Sequence, residues 1–309
     1  MGSYTDKPQT DIPFRDIFMG LARREAVGSF EAAQFFDDGE GELRRYDVYK
    51  IRVDGQTYVL KKSDEAEAGI YRDFLAGQDF RTPKYFGSGK YDGKIWLLME
   101  YIEGTDLREF TEEMAYGCAD SITAVMNAYW QRDEQEFESI KLDRRFEKYW
   151  KRINKRAQCL EGEPLLRQAY SVFLQRQLTC PRTLCNGDFL QYNAILRDGE
   201  IYIIDWAFAG IMPYSLDIAR LIAHGTEDRR TFPFYMVDQY REIYVRQVYE
   251  KLREKPDQEQ YGRDIKLSLL NEYIEFIEWE LNHPDEERDG VFSYYYGQAR
   301  KAAEEIINF

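Results

Sequence analysis

Histidine and cysteine are scarce in this sequence of 309 residues, which has two histidines and four cysteines. The cysteines are irregularly spaced and form no C-x-x-C pair; they are Cys118, Cys159, Cys180 and Cys185. This distribution disfavours a zinc site and a disulfide framework, both of which need regularly spaced ligands or partners. We therefore expect reduced thiols, as in cytoplasmic proteins.

Long apolar runs and basic blocks are also missing. No run approaches the ~20 apolar residues that a membrane-spanning helix needs, and the N-terminal residues lack the apolar stretch of a secretory signal. The formal net charge is −14, and no Lys/Arg-rich block is present. A chain this acidic repels nucleic acid and anionic membranes. We expect a soluble cytoplasmic protein with neither as a partner, and the sequence leaves the oligomeric state open.

Apolar and aromatic residues are abundant, at 44% and 16%, which predicts an ordered core. A short helix is expected over residues 12–26, followed by strands at 30–36, 46–53 and 56–61 and a helix over 64–76. Two more strands flank Asp92-Gly93. After Gly104 the pattern is almost entirely helical (117–130, 143–160, 164–178, 235–252, 262–282 and 293–307), interrupted by a strand-rich stretch at 183–204. The sequence thus predicts an α+β fold, with a small antiparallel lobe at 1–103 and a larger, mainly helical lobe at 104–309.

The most informative motif is NGDFLQYN, residues 186–193, followed by IIDW, residues 203–206. Apolar stretches on both sides of Asp198-Gly199 predict a β-hairpin with Asn193 before one strand and Asp205 after the next. Both side chains then lie at the same end of the hairpin. Their oxygens suit Mg²⁺, which proteins bind through one or two carboxylates together with phosphates. Asp188, in the adjoining loop, could accept a proton from an attacking hydroxyl group.

This arrangement, Asp-x4-Asn followed by an Asp at a strand end, resembles the catalytic loop and metal-binding Asp of the protein-kinase-like superfamily. The closest resemblance is to the aminoglycoside phosphotransferase and choline kinase branch, whose usual pattern is HGDxxxxN followed by IDW or IDF. The chain departs from that pattern by having Asn186 where the family has His. The later segment 217–220, DIAR, resembles the DLA segment of the same family.

The resemblance implies a bilobal kinase-like fold and a nucleotide site in the N-terminal lobe. Lys61 would hold the phosphates and Glu67 would orient it, with Lys62 and Glu65 as the rival candidates. Glu67 could instead belong to a helix-capping box that begins at Asp64.

The resemblance also implies a hinge between the lobes. Its residues would be Met99 as gatekeeper, with the Glu100 carbonyl and the Ile102 amide binding adenine. Gly39 and Gly41 lie where kinases place a phosphate-covering loop, although a lone G-x-G among acidic residues fits a plain hairpin turn as well.

The implied activity is transfer of the γ-phosphate of ATP, or of GTP, to a hydroxyl group of a small molecule with the help of Mg²⁺. The acceptor could be cationic, such as an aminoglycoside or an aminoalcohol. Carboxylates among aromatic residues at 271–281 could bind an ammonium group, or they could simply face water on an amphipathic helix.

Three other functions stay open: a catalytically silent binding or structural protein of the spore-coat type, a sugar or metabolite kinase, and a protein kinase. The last is disfavoured because no HRD, DFG or APE motif is present.

Overall fold

A computed structural model describes residues 3–5, 13–37, 44–131, 145–228, 234–283 and 290–308. The chain divides into two compact units, Met1–Glu103 and Gly104–Phe309. The first unit is built on an antiparallel sheet and the second is mainly helical, so the predicted α+β fold class is confirmed. No helix in the described ranges is long and apolar enough to cross a membrane.

The first unit contains a six-stranded antiparallel sheet in the order β1-β2-β3-β4-β6-β5. Its strands are β1 (Ser3–Thr5), β2 (Phe30–Asp37), β3 (Arg44–Val53), β4 (Gln56–Ser63), β5 (Tyr85–Tyr91) and β6 (Lys94–Glu100). Two tight turns, Asp54-Gly55 and Asp92-Gly93, connect neighbouring strands. Both residues of each turn have positive φ, as the Asp-Gly dipeptides predict.

The helices of the first unit are α1 (Phe14–Ala22) and α2 (Glu65–Gly69), which continues as a π-helical segment, Ile70–Leu75. Helix α1 buries one apolar stripe against a face of the sheet. Tyr58 and Leu60 of β4 belong to that core. Because side chains alternate along a strand, Val59 and Lys61 face the opposite side of the sheet.

The second unit is built from long helices around short strands. The helices are α3 (Glu112–Tyr129), α4 (Arg145–Arg156), α5 (Pro164–Gln177), α6 (Ser215–Ala223), α7 (Asp238–Lys251), α8 (Gln258–Asn282) and α9 (Gly290–Ile307). The strands are β7 (Thr105–Asp106), β8 (Arg182–Cys185), β9 (Ala194–Arg197), β10 (Glu200–Ile203) and β11 (Gly210–Pro213). Strands β10, β9 and β7 form one small sheet, and β11 pairs with β8 in another. Helices α4, α5, α8 and α9 enclose an apolar core.

Helix α6 and strand β11 are absent from the sequence-based predictions. Helix α6 is only nine residues long, and all of it except Arg220 is buried, including the charged Asp217, so its polar residues do not mark a solvent-exposed face. Strand β11 pairs with β8, a long-range partner that its own four residues do not reveal.

Candidate active site

The hairpin formed by β9 and β10 carries the predicted metal ligands. Its turn is Asp198-Gly199, with φ of 53° and 81°, and Ala194 lies opposite Ile203 in the register. The N–H of Ile204 donates to the carbonyl oxygen of Asn193 at 2.9 Å. Asn193 and Asp205 therefore flank the same end of the hairpin.

Asn186 is fully buried, and its side chain holds two parts of the site together. Its amide nitrogen donates to the carbonyl oxygens of Ile204 at 3.2 Å and Asp205 at 2.9 Å. Its amide oxygen accepts the backbone N–H of Asp188 at 3.1 Å. An asparagine can fill this position because its amide supplies both a donor and an acceptor. The side chain thereby connects the loop of Asp188 to the backbone of Asp205, whose φ of 53° is left-handed.

Asp217, near the start of α6, holds the same loop through its backbone. Its carboxylate accepts the N–H groups of Asn186 at 2.6 Å and Gly187 at 2.9 Å. Burial raises the pKa of Asp217 to about 7, against the lowering effect of these two amide donors. Gly187 has φ of 81°, and a Cβ there would lie 2.3 Å from the carbonyl oxygen of Phe208. The loop therefore requires glycine at this position.

The Asp188 side chain is fixed through both of its oxygens. Asn193 donates from its amide nitrogen to the Asp188 carbonyl at 2.7 Å and to Oδ2 at 3.0 Å. Arg220 of α6 donates to Oδ1 from Nε at 3.2 Å and from Nη2 at 2.9 Å. Burial raises the pKa of Asp188, the charge of Arg220 opposes that rise, and the charge of Asp205 adds to it. Asp205 is thus close enough to act electrostatically on Asp188.

The oxygens at the hairpin end fit Mg²⁺. Because the amide nitrogen of Asn193 points to Asp188, its Oδ1 is the atom left to bind a cation. The Asp205 carboxylate is a second hard oxygen donor, held by the N–H of Ala207 at 3.4 Å from Oδ1. Within the described part of the chain, no group of three or more His, Cys, Asp or Glu residues could hold a metal by itself. This donor set matches Mg²⁺, which takes its remaining ligands from phosphates and water.

In the first unit, Lys61 forms an ion pair with Glu67 at 2.8 Å. The other Glu67 oxygen accepts from Ser63 Oγ at 2.6 Å. Asp64 caps α2 by accepting the N–H of Glu67 at 2.8 Å. The two interpretations of Glu67 are therefore compatible, because its backbone serves the cap while its side chain binds Lys61.

The rival candidates have other partners. Lys62 pairs with Asp47 at 2.6 Å, and Glu65 pairs with Arg72 at 3.2 Å. The structure thus brings Lys61 and Glu67 together and places Lys62 and Glu65 in separate surface pairs.

The predicted hinge residues lie at the end of β6 and just beyond it. Met99 is buried and lies opposite Val59 of β4 in the register. The N–H of Glu100 donates to the carbonyl of Lys84 at 2.9 Å, and Ile102 is buried. Gly39 and Gly41 lie outside the described residues.

Three of the four carboxylates at 271–281 fit neither interpretation of the sequence, because they are paired with arginines and not simply exposed to water or available to an ammonium group. Glu272 pairs with Arg220 at 2.7 Å, whereas Glu275 and Glu278 pair with Arg156 at 2.8 and 2.9 Å. Arg156 is only 2% exposed. The DIAR motif contains Arg220 but does not predict its contact with Asp188, because the contact depends on how α6 packs.

Comparison with known proteins shows the family of the chain. The model of the phosphotransferase enzyme family matches residues 41–254. The match covers more than half of the chain, which therefore belongs to this phosphotransferase family, as the sequence motifs predicted. No curated protein matches it by sequence.

Solved structures of two kinds of enzyme, an ethanolamine kinase and aminoglycoside phosphotransferases, share the fold. An ethanolamine kinase of Plasmodium vivax aligns with a TM-score of 0.60 and 14% identity, over 94% of this chain and 87% of that one. An aminoglycoside phosphotransferase of Alicyclobacillus acidocaldarius aligns with a TM-score of 0.54 and 13% identity, over 98% and 95%. A thermostable mutant aminoglycoside phosphotransferase in complex with AMP-PNP and hygromycin B aligns with a TM-score of 0.52 and 15% identity, over 94% and 97%. At these identities the similarity is one of fold.

Proposed function

We propose that the protein transfers the γ-phosphate of ATP to a hydroxyl group of a small molecule in a Mg²⁺-dependent reaction. The observation that carries the proposal is the joined set of Asp188, Asn193 and Asp205 at one end of the β9–β10 hairpin. These residues offer a proton acceptor and two oxygen ligands within one hydrogen-bonded loop. GTP is the alternative phosphate donor.

Each chemical role follows from the side chains. Asp188 orients the acceptor hydroxyl and takes its proton while the acceptor oxygen bonds to the γ-phosphorus. In the same step the bond between the γ-phosphorus and the oxygen that bridges it to the β-phosphorus breaks, which releases ADP. Asn193 and Asp205 would hold Mg²⁺, which supplies charge neutralisation for the β- and γ-phosphates. We assign Lys61, oriented by Glu67, to the α- and β-phosphates.

In this proposal the base of the nucleotide binds to the first unit. Met99 would line the adenine site, and the Glu100 carbonyl and the Ile102 amide would bind the adenine edge. Residues 1–103 would then form the nucleotide-binding lobe, and residues 104–309 the catalytic and substrate lobe.

The acceptor class is a hydroxyl-bearing small molecule. A cationic acceptor is one option, together with a sugar or another metabolite. Glu272, Glu275 and Glu278 give a cationic acceptor no support, because each is paired with an arginine.

A catalytically silent binding module is the second candidate, suggested by Asn186 in the place of histidine. The three hydrogen bonds of the Asn186 side chain argue for an ordered catalytic loop and therefore for retained activity.

The test is ADP release from purified protein with Mg-ATP, and separately with Mg-GTP, across a panel of aminoglycosides, aminoalcohols and sugars. Asp188→Asn is the diagnostic variant. Asp198→Asn is its matched control, since it makes the same chemical change at the exposed turn of the β9–β10 hairpin, away from Asp188.

Acceptor-dependent turnover that Asp188→Asn abolishes and Asp198→Asn retains is the expected result. Turnover unchanged in Asp188→Asn would contradict the role of the base. Absence of turnover with every acceptor, together with no rise in Tm on adding Mg-ATP, would support the silent binding module instead.

A further inference from the structure

Arg220 donates two hydrogen bonds to a single oxygen of Asp188. The donors are Nε and Nη2 of Arg220, which lie 3.2 and 2.9 Å from Oδ1. A carboxylate has about four lone-pair positions, two on each oxygen. The two bonds from Arg220 therefore saturate Oδ1.

The other oxygen of Asp188 has capacity left. Among the described residues of the second unit, Oδ2 accepts one hydrogen bond, from the amide of Asn193 at 3.0 Å. One lone pair of Oδ2 thus remains for an acceptor hydroxyl. The two carboxylate oxygens are chemically distinct because Arg220 occupies only one of them.

Arg220 is itself held in place from α8. Its Nη1 donates to Oε2 of the buried Glu272 at 2.7 Å. Nε2 of His224 lies 3.4 Å from the same oxygen, and the other ring nitrogen of His224 pairs with the hydroxyl of Tyr295 at 2.7 Å. The bond to Glu272 holds the side of the guanidinium group that faces away from Asp188 and hence sets the direction from which it meets Asp188.

We propose that Arg220 is a positioning residue that saturates Oδ1 of Asp188 and so makes Oδ2 the oxygen that receives the proton of the acceptor. Glu272 contributes indirectly, because its carboxylate holds Arg220 in place. The inference rests on the proposed role of Asp188 as the base.

Arg156 provides the matched comparison within the same molecule. Arg156 is buried, and it pairs with two carboxylates of α8, those of Glu275 and Glu278. Its further hydrogen bond goes to Asn271, at 2.7 Å. Removing either arginine leaves carboxylates of α8 without their partner, but only the loss of Arg220 should change the orientation of Asp188.

The experiment measures kcat, KM for Mg-ATP and Tm for Arg220→Met, Arg220→Lys and Arg156→Met in the ADP-release assay. We expect Arg220→Met to lower kcat about 100-fold, the size of effect that follows from a misplaced catalytic group, while KM for Mg-ATP stays unchanged. Lysine restores the charge without the two-donor fork, so Arg220→Lys should give an intermediate kcat. Arg156→Met should lower Tm and leave kcat unchanged.

A double-mutant cycle tests whether Arg220 acts through Asp188. In the Asp188→Asn background, adding Arg220→Met should not lower the residual rate further, because coupled residues give non-additive effects. Independent, multiplying effects would overturn the inference. If Arg220→Met does not fold, the comparison of Arg220→Met/Glu272→Gln with Glu272→Gln replaces it, since the double change removes the buried Glu272 carboxylate that Arg220→Met alone would leave without its arginine.

The two proposals fail in different ways. Full turnover in Asp188→Asn would refute the base itself, whatever Arg220 does. An inactive Asp188→Asn together with a folded Arg220→Met of wild-type kcat would refute only the positioning role. A loss of kcat in Arg156→Met equal to that in Arg220→Met would reduce both arginines to structural supports.

Discussion

Replacing Asn186 by alanine should weaken the folded state and the catalytic loop together. The side chain is fully buried and makes three hydrogen bonds, two from its nitrogen to carbonyl oxygens and one from the Asp188 N–H to its oxygen. Each such bond contributes about 0.5–1.5 kcal/mol net, and a buried partner left unpaired costs about 1–3 kcal/mol. We therefore expect the free energy of unfolding to fall by about 2–4 kcal/mol.

Thermal melting and ADP release measure the two effects. For a unit of this size, 1 kcal/mol corresponds to about 2–4 °C, so Asn186→Ala should lower Tm by about 4–16 °C. Turnover should fall as well, because the loop that carries Asp188 is no longer tied to the backbone of Asp205.

An isosteric variant separates lost hydrogen bonds from lost volume. Asn186→Asp creates no cavity, but it places a carboxylate oxygen against the carbonyls of Ile204 and Asp205. It should be at least as harmful as Asn186→Ala. A mild Asn186→Asp beside a severe Asn186→Ala would indicate that packing dominates, and an Asn186→Ala with unchanged Tm and turnover would refute the bracing role altogether.

Two further substitutions test the loop and the buried histidine. Gly187→Ala should lower Tm and turnover more than Gly199→Ala, because both positions have φ of 81° but only at Gly187 does a Cβ meet backbone, at 2.3 Å; equal effects would disprove the steric argument. Burial lowers the pKa of His224, against the opposing effect of Glu272, so below about pH 6.5 the unfolded chain binds a proton at His224 that the folded chain does not, and the contribution of His224 to stability falls. Asp217 acts in the opposite direction, because its raised pKa of about 7 makes the folded chain bind a proton that the unfolded chain does not. The difference in Tm between His224→Asn and wild type should therefore shift in favour of His224→Asn from about pH 7.5 to about pH 5.5, with His283→Asn as the control; parallel curves for His224→Asn and wild type would show that His224 does not contribute.

The sequence predicts the elements whose signals are local. Asp-Gly dipeptides locate the tight turns of the first unit, and helix α1 has a single apolar stripe, so both are recognised without knowledge of the fold. The fold class follows from the order of these elements. The helix predicted at 64–76 is present, although its second half is π-helical.

The residues of the candidate site also fall into those that the sequence predicts and those that it does not. Asp188, Asn193 and Asp205 belong to a short motif joined by one hairpin, so their common location follows from the residues between them. The partnerships of Arg220 with Asp188 and of Arg156 with α8 join elements far apart in the chain. They depend on helix packing, and no spacing rule predicts them. The roles of Lys61, Glu67 and the hinge residues in binding nucleotide stay predictions.

The ion pair between α6 and α8 has a consequence for how relatives of this chain can vary. A neutral residue at position 272 would remove the carboxylate that holds Nη1 of Arg220, and a neutral residue at position 220 would leave the buried Glu272 without its arginine, a loss of about 3–5 kcal/mol. Single replacements should therefore be rare, and positions 220 and 272 should change together. Positions 156, 275 and 278 form a second group, which should vary independently of the first.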